Sequence, residues 1–195
     1  MTKTVAIIAG GPSLAREDVS KVESVYLPII GINNAYQICD RLSILYSCDA
    51  NWWRHHYDNV RHLACLKISL ESTSYHDVLQ VENDGLAGMS YEWPRVRTGG
   101  NSAYQAINVA FLLGFQKIIL LGYDLQAIDG KLHWHGGHPK TMNNPNVHRF
   151  EEWTLHYDGL AKLLELEKVQ VFNASRSTAL NCFPKVKIDD VLSQC

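Results

Sequence analysis

The sequence has little of what would tie a chain of this size to an extracellular, membrane-spanning or polyanion-binding role. Its five cysteines, Cys39, Cys48, Cys65, Cys182 and Cys195, are odd in number and include no CxxC or other paired spacing. Neither a disulfide framework nor a zinc knuckle is therefore indicated, and reduced, mostly buried thiols are expected. Apolar runs are short, and none approaches the roughly 18 to 20 residues needed to cross a bilayer. An excess of one charge is missing too: 18 Lys and Arg against 20 Asp and Glu leave a net charge of −2, too weak a field to favour a nucleic acid backbone as partner. Repeats, low-complexity tracts and Pro/Ser-rich linkers are absent, so 195 residues predict a single domain over 1–195. The opening Val5-Ala6-Ile7-Ile8 is far shorter than a signal-peptide core. It reads as a strand, not an export signal, in a soluble cytoplasmic protein.

What is present is an alternation of short β-branched runs with helical patterns. Strands are expected over Val5–Ile8, Leu27–Ile32, Ile44–Ser47, Ile118–Leu121 and Val169–Phe172, and the clearest helices over Ser102–Leu113 and Phe150–Glu165. Runs such as Ile118-Ile119-Leu120-Leu121 are apolar on both faces, as a strand covered by helices on each side must be. The expected fold is α/β: a single Rossmann-like domain with a mainly parallel sheet flanked by helices. Within residues 66–94, Leu66–Leu70 and Val78–Val81 read as strand pieces, but Asn83-Asp84-Gly85 and Gly88 break the pattern, and the segment is read as a less regular insertion or lid-bearing connection. Residues 124–147 show no periodicity and are too long for an idle connection, which marks a functional loop.

Ligands of an open parallel sheet bind beyond the carboxyl ends of its strands, where helix N-termini point their N–H groups. Beyond the first strand stands Ala9-Gly10-Gly11-Pro12-Ser13-Leu14. Its glycines permit close backbone approach, Ser13 is placed to cap a helix, and the turn suits a phosphate. It matches neither Walker A nor GxGxxG, and a ligand-free strand-to-helix turn explains it as well. The other strands end in Asn33-Asn34, Asp49, Asp124 and Asn173-Ala174-Ser175. Each alone is an ordinary cap or turn former; gathered at one edge they can read a base, a ribose and phosphate oxygens. A second glycine-rich helix start, Thr98-Gly99-Gly100-Asn101-Ser102, is a further anion cradle.

The densest chemistry lies in Lys131-Leu132-His133-Trp134-His135-Gly136-Gly137-His138-Pro139. No metal is favoured, because HxHxxH is not a zinc signature. The alternative is a divalent ion held by His133, His135, His138 and Asp124. General acid/base work or phosphate binding by one of these imidazoles weighs equally with a structural use. Trp52 and Trp53, after Asp49, point in different directions on a helix, so one packs inward while the other walls the pocket.

These strings resemble known families. Ala9-Gly10-Gly11-Pro12-Ser13-Leu14, Gly31-Ile32-Asn33-Asn34, the stretch from Thr98 through Gly122-Tyr123-Asp124, and Asn173-Ala174-Ser175 with Leu180 and Phe183-Pro184 are similar to the bacterial sialyltransferases of glycosyltransferase family 42. They are also similar to the MptE-like 6-hydroxymethylpterin diphosphokinase superfamily. Over most of the chain, Tyr46-Ser47-Cys48-Asp49-Ala50-Asn51-Trp52-Trp53 and the histidine string resemble short bacteriophage and prophage proteins. The resemblance implies a nucleotide-activated small-molecule donor held by Gly10, Gly11, Pro12, Ser13, Asn33, Gly100, Asn101 and Ser102, to which the strand-end reading adds Asp49, Asn173 and Ser175. It implies a His general base, with His138 and His148 as candidates beside Asp124, and no metal. It further implies the cytoplasm of an infected or lysogenic bacterial host, with a glycan or a modified nucleobase as acceptor.

Three functions are thus expected in order. The first is a glycosyltransferase-like transferase. The second is a metal-dependent pyrophosphoryl transferase or phosphohydrolase using Asp49, Asp124 and the histidines. The third is a nucleotide-binding module without catalysis. Homo-oligomerisation is left open by the sequence.

Overall fold

A computed structural model describes residues 3–137 and 147–195. The chain runs β1 (Thr4–Ile8), α1 (Arg16–Ser24), β2 (Ile29–Ile32), a 3-10 turn (Asn33–Gln37), β3 (Ile44–Ser47), α2 (Ala50–Val60), β4 (Leu66–Ser69) and β5 (Val78–Gln80). It continues through β6 (Glu82–Asn83), β7 (Arg95–Val96), α3 (Ser102–Leu112), β8 (Lys117–Leu121), α4 (Val147–Leu166), β9 (Gln170–Asn173) and α5 (Ile188–Leu192). Seven strands form one sheet in the order β5-β4-β3-β2-β1-β8-β9, and every neighbouring pair in it is parallel. This is the expected Rossmann-like α/β architecture.

The period-2 alternation of strand side chains sorts the core into two layers. Val5, Ile7, Ile30, Ile118 and Leu120 pack on one face against Tyr104 and Ile107 of α3 and Tyr157 and Leu160 of α4. Ala6, Ile8, Ile29, Ile119 and Leu121 pack on the other against Val19 and Val22 of α1 and Val191 of α5. On that second face Leu45 meets Trp52, Trp53 and Val60 of α2. The central strands are apolar throughout because helices cover both sides of them.

The segment 66–94 contains both of its expected strand pieces. Its first half supplies β4 and β5, which extend the main sheet beyond β3; only β6 and β7 stand apart, as a short ladder of their own. The strand pattern there is weak because β5 is an edge strand of three residues with two of them exposed, too short to show an alternation. No helix among the described residues is long and apolar enough to cross a membrane.

The strand order reverses between β1 and β8. From β1 the chain steps outward through β2 to β5, then returns to place β8 on β1's other side. Two loops that leave adjacent parallel strands in opposite directions open a crevice between them. At this point Gly11 donates its amide to Gly122 O at 2.8 Å. A Cβ on Gly11 would stand 2.3 Å from Asp124 Oδ1 and 2.5 Å from Gly122 O, so glycine is required by contact with the neighbouring strand end.

Gly11→Ala is therefore expected to lower unfolding free energy by about 1–3 kcal/mol through overpacking. Gly159 lies inside α4 with open space about its Cα, and Gly159→Ala should raise stability by about 0.5–1 kcal/mol. Urea unfolding of the two variants checks both signs.

Candidate functional site

The crevice is a cavity of about 580 Å³, within the range of sites for small molecules and cofactors. Gly10, Gly11 and Pro12 after β1, Asn33 and Asn34 after β2, Asp49 after β3, Gly100, Asn101 and Ser102 before α3, and Asp124 after β8 all line it. The two glycine-rich turns thus share one rim of the sheet, and among the described residues no side chain plugs the space between them. Asn173 and Ser175 are not brought there. Both are buried, and they brace the turn after β9: Asn173 Nδ2 donates to Thr178 Oγ1 at 3.1 Å, Asn173 Oδ1 accepts from Ser175 N, and Ser175 Oγ accepts from Tyr123 N at 2.8 Å.

The first glycine turn is largely filled by the protein's own groups. Ser13 does not cap α1, which starts at Arg16 after Ala15 without a side-chain cap. Its amide and hydroxyl instead donate to the two oxygens of Asp124 at 2.6 and 2.8 Å. The Asp124 carboxylate occupies donors that a phosphate would have used. Burial pushes its pKa up, and the Ser13 bonds pull it partly back. Its geometry is that of a clamp between the ends of β1 and β8 rather than of a free base.

The α2 start is similarly taken. Asp49 caps it by accepting from Asn51 N at 2.6 Å, and Glu71 accepts from Ala50 N at 2.9 Å. Two carboxylates at these amides leave no welcome for an anion.

The α3 start is different. Asn101 spends its side chain on the helix itself: Oδ1 accepts from Tyr104 N at 2.9 Å and from the Tyr157 hydroxyl at 3.1 Å, while Nδ2 donates to Gly99 O. Ser102 Oγ accepts from Cys48 N at 3.2 Å, which ties the α3 start to the end of β3. The amides of Gly100, Ser102 and Ala103 have no protein acceptor among the described residues, and all three residues line the cavity. Gly100 has φ +77, and a Cβ there would lie 2.7 Å from Trp153 Nε1; both the left-handed backbone and the indole require glycine. Trp153 Nε1 is itself buried without an acceptor among the described residues. Unpartnered N–H groups and a helix dipole converge here, which is the physical description of an anion site.

The histidine loop folds back over the first turn, with Trp134 N donating to Gly10 O at 3.2 Å. His133 and His135 line the cavity, with rings stacked 5.1 Å apart at 3°. His148, expected as a candidate base, is exposed on α4 and is not among the lining residues; His138 lies outside the described residues. No group of three His, Cys, Asp or Glu able to hold a metal forms among the described residues, and there Asp124 is committed to Ser13 rather than to the imidazoles. The thiols are all unpaired; Cys39 is buried, Cys195 exposed and the others lie between. Burial pushes the Cys48 thiol up, beside the cavity.

Sequence reasoning passed over several lining residues, including Glu71, Arg149 and Trp153. Arg149 and Trp153 stand four apart at the start of α4, hence on one helix face; that spacing was a readable signal. Of the paired tryptophans, both are fully buried, and only Trp52 touches the cavity. One face of Trp52 is covered by His56, stacked at 4.7 Å and 18°, so that face is closed to a ligand.

Scans against models of protein families, curated proteins and solved structures return no match. The class is therefore defined by architecture and site alone: a Rossmann-like α/β domain with a cavity at its switch point.

The His56 ring shares a hydrogen bond with the Tyr36 hydroxyl at 2.9 Å. Burial, then the neighbouring His55 charge, lowers its pKa from the usual value. The folded state thus binds this proton less readily than the unfolded chain. Stability from this group is complete above about pH 6.5 and declines as pH falls below it. Thermal midpoints measured from pH 7.5 to pH 5 should drop, and the drop should be smaller in His56→Gln.

Proposed function

We infer that the protein is a transferase that binds a nucleoside-phosphate-activated donor, glycosyltransferase-like in its chemistry, with a loop imidazole as general base. The observation that carries this reading is the set of open amides on Gly100, Ser102 and Ala103 at the wall of the switch-point cavity. Three backbone donors and a helix dipole stabilise a phosphate where it gains charge as the leaving group. Arg149, on the lining of the same cavity, adds a cation to that side.

In the proposed step an acceptor oxygen attacks the donor carbon. The bond from that carbon to the phosphate oxygen breaks, and its electron pair leaves on the phosphate. The acceptor proton passes to an imidazole, for which His133 and His135 are the candidates that line the cavity. The donor held against α3 and the acceptor held against the histidine loop would turn a two-molecule encounter into a reaction within one complex.

Backbone donors can be tested by removing one N–H. Asn101 precedes Ser102 in an extended conformation, φ −156 and ψ 154, which is the backbone a following proline prefers, and the first helical position accepts proline. Ser102→Pro should weaken binding of cytidine, uridine, guanosine or adenosine diphosphate by about tenfold or more relative to Ser102→Ala, since a charge-assisted hydrogen bond is worth about 1.5–3 kcal/mol. Calorimetric titration of wild type and both variants measures this; wild type that binds none of the four would overturn the reading. Repeating the titration with a chelator separates metal-free binding from the metal-dependent alternative.

A further inference from the structure

The cavity holds a second polar feature whose orientation the protein itself determines. Asn34 is buried, with 8% of its surface exposed, and it lines the cavity. Its Oδ1 accepts from Trp52 Nε1 at 2.8 Å. An indole nitrogen is a donor only, so it must face the amide oxygen, and this contact fixes which way the amide is turned. The Nδ2 group is then the free end: it makes no hydrogen bond among the described residues, and unlike Asn33 Oδ1 it is not shut away from solvent. An amide N–H2 held open at a cavity wall by its own oxygen's bond is a donor available to a ligand's acceptor atom.

Next to it, Asn33 also lines the cavity. Its backbone is left-handed at φ +51, an uncommon state outside glycine that concentrates at binding sites. Its Oδ1 is buried with no donor among the described residues. One unpartnered donor and one unpartnered acceptor therefore stand side by side at the end of β2. The α3 start is bonded to the end of the adjacent β3 through Cys48 and Ser102, so the pair lies about one or two strand spacings, roughly 5–10 Å, from the open amides. That is the separation of a phosphate from the sugar or base it carries.

The geometry points to Asn34 as a specificity-determining residue: its Nδ2 donates to an uncharged acceptor atom on the nucleoside half of the ligand, and Trp52 is the positioning residue that holds the amide in that sense. This rests on the nucleotide-donor reading above and adds to it which end of the cavity reads the nucleoside. The acceptor is a base carbonyl or ring nitrogen, or a ribose oxygen.

Asn34→Asp is the direct test, because it keeps the oxygen that Trp52 needs and converts only the free N–H2 into a second oxygen. The variant should bind nucleoside diphosphates at least about tenfold more weakly and bind inorganic pyrophosphate as wild type does. Ribose 5-phosphate tells the two sources of acceptor apart: loss of its binding in parallel assigns the ribose, unchanged binding assigns the base. Equal weakening of pyrophosphate would mark a general charge effect and overturn the proposal, as would unchanged binding of the nucleoside diphosphates. Trp52→Phe keeps the packing ring and frees the amide to turn, and roughly a twofold loss of nucleotide affinity is expected from the halved competent fraction; no loss overturns the positioning role and stands as a check if Asn34→Asp does not fold. Wild type that binds pyrophosphate but no nucleoside diphosphate overturns this inference and leaves the anion site intact, whereas wild type that binds neither removes the reading on which it rests.

Discussion

The Asp124 carboxylate, bonded through both oxygens to Ser13, is the interaction on which the site depends. Parallel strands β1 and β8 lie side by side, their loops depart to opposite sides of the sheet, and a single backbone bond, Gly11 N to Gly122 O, joins the two loop bases beyond the strand ends. The carboxylate adds two side-chain bonds to that one from a position 1% exposed. A buried anion is tolerated only when donors surround it, and here those donors are the amide and hydroxyl of the turn it fastens. The crevice is consequently bounded by a rigid seam rather than by two independent loops.

That seam divides the helix starts into unlike kinds. Negative groups belonging to the chain satisfy the turn after β1 and the start of α2, through Asp124, Asp49 and Glu71. The start of α3 receives only the neutral Asn101. Helix N-termini are equivalent as dipoles, so what distinguishes them is which donors the protein has already used. On this basis the α3 start is the one whose amides stay open among the described residues, and the glycine turn that is most prominent in the sequence serves close packing. Gly11 is small for the sake of Asp124, and Gly100 for the sake of Trp153.

A chain of aromatic and amide contacts backs the opposite wall. His56 stacks on Trp52, Trp52 donates to Asn34, and Tyr36 meets His56 from its edge. Each group is fixed by the next, which gives the short polar side chains at the end of β2 a rigid support. Rigid support matters for a small-molecule site because ordering a loose wall on binding subtracts from affinity.

The amino-acid sequence by itself determined the sheet. Apolar runs such as Ile118–Leu121 have no polar face to offer solvent, so they must be covered on both sides, and the glycine, Asn and Asp residues that follow the strands fall at one edge because parallel strands end together. The turn before α3 follows β7, which is no strand of the main sheet, so it took the tertiary structure to bring Gly100 and Asn101 beside Gly10. Only the tertiary structure decided which polar groups remain available. Asp124 reads as a catalytic acid or base until Ser13 is seen to fill it; Asn173 and Ser175 read as ligands until they bond each other; His148 reads as a base until it faces outward. Arg149 and Trp153 reach the cavity from a helix more than twenty residues beyond the end of β8. Hydrogen-bond partners are set by contacts between residues far apart in the chain, and local pattern holds no record of them.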